Sequence, residues 1–400
     1  MRLCLLAICL CAVAAAADWP QWRGPARDGK SAETGLAETW PAGGPPRVWK
    51  VQGLGSGYSS IAVAAGRLYT QGQSGSDEYV LALDAATGKQ FWKTKTGAAF
   101  GNDKGNGPRG TPTVDGSRLY ALAADGTLAC LDAASGKSIW QLNFVQRFAG
   151  QRPTWGYSES PLVEGEHLIV TPGGRGAAVV ALNKATGEVI WKSGDDRAGY
   201  SSPMSFDVGG SRVLAVLTAN AGIGLDAKTG ALLWRNDKSI NRTANIATPV
   251  VDRGHVFYSS DYGTGCALLK VARRASAIGA SEVYFNREMR NHYTTSVLVG
   301  DYLYGFSSAV LTAMNFMTGK VAWQDRSVGK GNCIYAGNRL YCMGEEGAVA
   351  LIEPTPEAYR ERSRFRIPAG SLPTWTPPTV ANGRLYLREQ DNLYCFNVKR

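Results

Sequence analysis

LDAATGKQFW, Leu83 to Trp92, decides the fold, because the same ten-residue phrase returns four more times. LDAASGKSIW ends at Trp140, LNKATGEVIW at Trp191, LDAKTGALLW at Trp234 and MNFMTGKVAW at Trp323. The successive tryptophans stand 48, 51, 43 and 89 residues apart, so the last gap holds two periods and a degenerate copy. A second phrase precedes each copy: small or apolar residues, a glycine, a polar residue and an apolar pair. It runs VAAGRLY at Val63, VDGSRLY at Val114, VEGEHLI at Val163, VGGSRVL at Val208, VDRGHVF at Val251, LVGDYLY at Leu298, YAGNRLY at Tyr335 and VANGRLY at Val380. Both phrases carry apolar residues on either side of a tight turn whose Gly, Asp or Asn tolerates positive φ, which is hairpin chemistry.

Two hairpins per unit make four antiparallel strands, and a period of about 40–50 residues with four strands marks a propeller blade. Eight units predict an all-β, eight-bladed β-propeller. In the repeated phrase, Asp and Thr cap the turn, Gly takes the left-handed position and Trp packs between blades. The last unit ends at LYCFNVKR without its outer strand, whereas PPRVWKV, Pro45 to Val51, precedes the first unit with Trp49 in the missing position. An N-terminal strand is therefore expected to close the ring and pair its edges.

Composition agrees. The 400 residues hold 48 glycines, 44% are apolar and only 19% charged, which argues for a large core with many tight turns and against disorder. Arg2, the apolar run Leu3 to Val13 and the small residues Ala14 to Ala17 have the three regions of a secretory signal peptide, with cleavage expected before Asp18. The expected organisation is signal peptide 1–17, N-terminal extension 18–44 and one propeller domain 45–400. Cys4, Cys9 and Cys11 lack the small preceding residue of a lipid-anchor signal, so a periplasmic or secreted protein is expected. No later stretch is apolar for long enough to span a membrane as a helix. The net charge is +10 without any dense Lys/Arg run, which speaks against a nucleic-acid partner.

These units resemble the pyrroloquinoline-quinone (PQQ) type propeller repeats shared by quinoprotein alcohol dehydrogenases and the outer-membrane assembly-factor propeller, over about Pro45 to Arg400. DWPQWRGPARDG at Asp18, GLGSGYSS at Gly53, WGYSESPL at Trp155, YGTGCALLK at Tyr262 and LYLREQDNLYCF at Leu385 are similar to a group of secreted single-propeller bacterial proteins. The resemblance implies the fold, and it names PQQ and calcium as the cofactors to consider. This chain departs from the dehydrogenases in having no two adjacent cysteines and no C-x-x-C-H haem motif.

Connections on one face vary widely in length, including 93–108, 141–154 and 235–245, and variable loops on a rigid repeat are where binding is built. Inner-strand entrances should ring the channel there with Tyr58, Arg109, Trp155, Tyr157, Glu159, Tyr200, Asn245, His292, Tyr293, Lys330, Asn332 and Trp375. Trp155 and Trp375 offer ring faces, Arg109 and Lys330 bind carboxylates, Glu159 is the candidate general base, and Glu159 with Asn245 is a conceivable calcium pair. His167, His255 and His292 are too dispersed for a metal triad. Cys333 and Cys342 should oppose each other across one hairpin, where a disulfide can form. Three readings stay open: a binding module for a small molecule, glycan or protein at the channel mouth; a PQQ-dependent dehydrogenase of the alcohol or polyvinyl-alcohol type; and a cell-envelope assembly scaffold.

Overall fold

The computed structural model describes residues 18–275 and 277–400; the expected signal peptide lies outside the described residues. Eight four-stranded antiparallel sheets follow one another around a central channel. Blades one to seven span 62–98, 113–143, 162–193, 204–236, 250–286, 297–325 and 331–366, each with its strands adjacent in chain order. Blade eight takes three strands from 379–397 and its fourth from Arg47–Gln52. That closing strand pairs antiparallel with Asn392–Asn397, Trp49 opposite Cys395 and Gln52 opposite Asn392, as the missing-strand argument requires. No helix is long and apolar enough to cross a membrane among the described residues.

The repeated phrase works as its chemistry implies. Asp84 Oδ1 accepts hydrogen bonds from the Ala86 and Thr87 amides and the Thr87 hydroxyl at 2.8–3.0 Å, and Asp226 repeats the arrangement three phrases later. Three outer-strand tryptophans then donate their indole N–H to the next blade's turn, Trp92 to Ala133 O (3.3 Å), Trp140 to Lys184 O (3.2 Å) and Trp191 to Ala227 O (3.2 Å), whereas Trp234 donates to the Tyr258 hydroxyl (3.3 Å). Trp49 does the same to Ala85 O at 3.3 Å, so the borrowed strand closes the ring with the same contact. The phrase's glycine lies under the preceding blade's ring. Gly136 has φ 73°, and a Cβ there would meet Trp92 at 2.5 Å, so two separate constraints require glycine. In the degenerate copy Tyr284 replaces the tryptophan and its hydroxyl donates to Phe316 O at 2.9 Å.

The extension 18–44 is the feature the repeats do not foretell. It lies against the face away from the variable loops and threads the channel. Trp19 exchanges backbone hydrogen bonds with Val63 of blade one, and Val114 of blade two donates to Pro20 O. Arg27 donates to Ser160 O (2.8 Å) and Pro161 O (3.2 Å) of blade three, Trp22 Nε1 to Thr248 Oγ1 (2.9 Å) of blade five, and Arg23 to Thr295 O (3.0 Å) and Ser296 O (2.9 Å) of blade six. Gly29 and Ser31 bracket Tyr335 of blade seven, while Glu33 and Ala37 bind blade eight. Both guanidinium groups are buried, and desolvation lowers the pKa of Arg23 to about 10 and of Arg27 to about 9.

Cys333 and Cys342 are register partners as expected, but no disulfide joins them. Cys333 Sγ is turned to the Tyr304 carbonyl of the neighbouring blade, 3.5 Å away, and both thiols are buried in the apolar seam there.

Candidate functional site

One register organises the channel mouth. Tyr58, Arg109, Ser158, Tyr200, Ile246, Tyr293 and Trp375 each stand four residues before the first residue of their blade's inner strand, and Lys330 directly precedes the longer inner strand of blade seven. All eight side chains line one cavity of about 440 Å³. Two residues further on, hydroxyl groups stitch neighbouring entrances together: Ser60 N to Thr111 Oγ1 (3.2 Å), Thr111 N to Ser160 Oγ (2.9 Å), Ser160 N to Ser202 Oγ (2.9 Å) and Thr248 N to Thr295 Oγ1 (2.9 Å). The ring is thereby fixed on rigid strand ends rather than on mobile loop tips.

The cavity walls are mostly aromatic. Trp375 packs between Tyr58 and Tyr293, with ring centroids 4.8 and 5.5 Å away, and Trp155 lies 5.8 Å from Tyr200. Trp22, carried in by the extension, joins the lining, and Tyr262 meets His292 Nε2 at 2.9 Å. Burial and the Lys330 charge depress the His292 pKa to about 4, so its imidazole is neutral at physiological pH. Lys104, Arg109 and Lys330 face a single carboxylate, Glu345, which accepts from Trp375 Nε1 at 2.6 Å and sits 3.7 Å from Lys330 Nζ. Arg109 is partly committed: it donates to Gly105 O (2.7 Å) and Gly107 O and lies over Phe100 at 5.0 Å. Burial lowers its pKa.

Of the expected site residues, Tyr58, Arg109, Trp155, Tyr200, His292, Tyr293, Lys330 and Trp375 reach the cavity. Tyr157, Glu159, Asn245 and Asn332 do not. Tyr157 and Glu159 flank the ring position Ser158, and one residue of slip turns a side chain from the channel into the blade. Tyr157 donates to Pro172 O at 2.9 Å and packs on Phe144. Glu159 accepts from the Thr171 amide at 2.7 Å and from the Thr171 hydroxyl. Desolvation pushes its pKa up to about 7, a value suited to a base, yet it has no access to the cavity. Asn245 is buried beside the ring position Ile246, its carbonyl oxygen taken by Asn241 N and Ser260 Oγ. Asn332 donates to Trp375 O and so holds the ring rather than lining it.

A calcium pair of Glu159 and Asn245 therefore does not form, since both spend their oxygens on protein donors. Among the described residues no three His, Cys, Asp or Glu side chains converge on a metal position. A flat polycarboxylate such as PQQ matches the aromatic walls and the cationic excess, whereas the calcium that accompanies it in the dehydrogenases finds no ligand set. Sequence reading passed over Ser158 and Ile246, which only the strand register identifies, and Trp22, Lys104, Tyr262 and Glu345, which arrive from segments outside the repeat phrases.

The chain belongs to the family described as outer membrane protein assembly factor BamB, whose model matches residues 41–142 and 76–325. It is 24% identical over 278 residues to the outer membrane protein assembly factor BamB of Yersinia pestis, covering 66% of this chain and 67% of that one. Among solved structures it is similar to BamB from Moraxella catarrhalis, with a TM-score of 0.65 and 17% identity over 88% of this chain and 99% of that one. It is similar also to the quinohemoprotein alcohol dehydrogenase from Comamonas testosteroni, with a TM-score of 0.67 and 14% identity over 96% and 81%. At these identities the two structures establish the PQQ-like propeller fold that this chain shares with both proteins.

Proposed function

We propose that this member of the PQQ-like propeller family is a non-catalytic receptor for a small, flat, ring-bearing anion held in the channel cavity. The observation that carries this reading is the cavity itself: about 440 Å³, walled by Tyr58, Trp155, Tyr200, Tyr293 and Trp375, with three cationic side chains against one carboxylate. Aromatic faces supply apolar area and stacking, and Lys330 supplies charge that an apolar ring alone cannot use. The neutral His292 imidazole in the lining is hydrogen-bonded to the Tyr262 hydroxyl at 2.9 Å, and no chemical step is assigned to the cavity. Its tryptophans report the test. PQQ and simple aromatic dicarboxylates should quench intrinsic fluorescence with micromolar midpoints that do not depend on Ca²⁺. Lys330→Met and Trp155→Ala should each raise the midpoint about tenfold, the loss of one charge-assisted or stacking contact. No quenching by any compound of that set at millimolar concentration would refute the reading, and Ca²⁺-dependent alcohol oxidation with PQQ would replace it with the dehydrogenase.

A second reading, a cell-envelope assembly scaffold, has the family match in its favour. Its test is chemical crosslinking in the host envelope: recovery of outer-membrane assembly components supports it, and recovery of none counts against it.

A further inference from the structure

Beside the aromatic cavity, and sharing only Tyr200 and Ala244 with it, lies a cleft of about 170 Å³ between the entrances of blades three, four and five. Arg152, Arg197 and Arg242 line it, one from each blade, and no acidic residue does. All three side chains are exposed, and among the described residues none has an ion pair or a side-chain hydrogen bond; Arg152 lies over the Phe100 ring at 5.2 Å. The carboxylates nearest in sequence are engaged elsewhere: Asp196 holds Arg235 and Thr218, and Asp195 accepts from Gly176 N. By contrast, in the same blades Arg212 and Arg253 each meet a carboxylate.

The floor beneath these arginines is a built one. Asn245 joins blades four and five by donating to Ala219 O (3.2 Å), receives Asn241 N and Ser260 Oγ on its own oxygen, and passes its carbonyl to Tyr200 N (2.8 Å). Thr154, Thr243 and Gln151 add neutral polar groups to the walls. Three like charges held at one cleft without a counter-ion repel one another, and guanidinium forks recognise planar oxyanions by paired N–H donation.

We propose that Arg152, Arg197 and Arg242 form an anion subsite for a small molecule bearing two or more carboxylate or phosphate groups. This subsite does not depend on what fills the aromatic cavity. A ligand long enough to pass Tyr200 engages both.

Titration calorimetry of the full mature chain with citrate, tripolyphosphate and acetate, at low and physiological salt, tests this. Citrate or tripolyphosphate should bind with an affinity that falls as salt rises, while acetate, with one charge, binds far more weakly. Arg197→Gln should weaken binding about tenfold and the Arg152→Gln/Arg242→Gln pair by more, as expected for lost charge-assisted contacts. Lys228→Gln, on a distant turn, should leave it unchanged. Binding of citrate alone assigns carboxylates, of tripolyphosphate alone phosphates, and equal binding an array that takes either. The proposal is overturned if neither polyanion binds below millimolar concentration, or if the triple Arg→Gln variant, folded by circular dichroism, binds as tightly as the parent.

Discussion

Glu78 shows what a single buried carboxyl does to this protein. It is fully buried in blade one; Oε2 accepts from Ala124 N at 2.8 Å, and Oε1 has no hydrogen-bond partner. Desolvation pushes its pKa up to about 8, against an ordinary 4.5, and Glu159 is raised for the same reason to about 7. Because the folded state holds these protons more tightly than the unfolded chain, stability from them is complete below about pH 4.5. It is lost as pH climbs towards 8, at up to about 1.4 kcal/mol per pH unit for each group. Thermal unfolding should therefore show a lower Tm at pH 8 than at pH 5, and Glu78→Gln should flatten that difference. Glu78 was not legible from sequence, since it sits on a strand as an ordinary polar residue would; Glu159 was singled out as an inward carboxylate, but its side chain differs from the channel-facing Ser158 by one position and turns into the blade. Residue type singled out Trp155, Lys330 and Trp375, which line the cavity. Only the count to the strand start separates Trp375 from Tyr157 and Asn245.

At the scale of one element, the strand Arg47–Gln52 carries the ring's closure, and its tryptophan is the measurable part. Trp49 meets Ala85 as Trp92 meets Ala133, at the same 3.3 Å and with a tyrosine ring alongside in each case, Tyr386 at 5.9 Å and Tyr69 at 6.0 Å. Trp49→Ala and Trp92→Ala should therefore destabilise by similar amounts, about 3 kcal/mol each, in denaturant unfolding. A closing strand that merely decorated the ring would make Trp49→Ala nearly silent. This element was readable because a repeat with one strand missing at its end and one spare at its start has a unique repair. The extension before it was not readable, since 18–44 repeats nothing and its partners are backbone carbonyls spread over the ring, which leave no mark in the sequence.

For the whole molecule, that extension makes a two-ended channel into a one-ended vessel. Arg23 and Arg27 satisfy four inner-strand carbonyls from buried positions, and Trp22 reaches the cavity from below. Replacing both arginines by methionine should strand the Ser160, Thr295 and Ser296 carbonyls at about 1–3 kcal/mol each, while Pro161 O keeps the Thr113 hydroxyl at 2.6 Å. The expected result is a lower Tm together with weaker ligand quenching, because the cavity loses its base; the Glu78→Gln variant should leave quenching intact. A double variant with parental Tm and parental quenching would show the plug to be dispensable.

The borrowed strand also sets a clock. Trp49 pairs with Cys395, 346 positions later, so the contact that completes the ring has among the largest sequence separations in the molecule. Loop-closure entropy makes such pairings late and slow. A chain interrupted before residue 392 leaves the strand Arg47–Gln52 without its partner. Closure of the propeller thus joins the two most distant strands of the repeat, and Arg47–Gln52 keeps an unpaired edge until Asn392–Asn397 is in place.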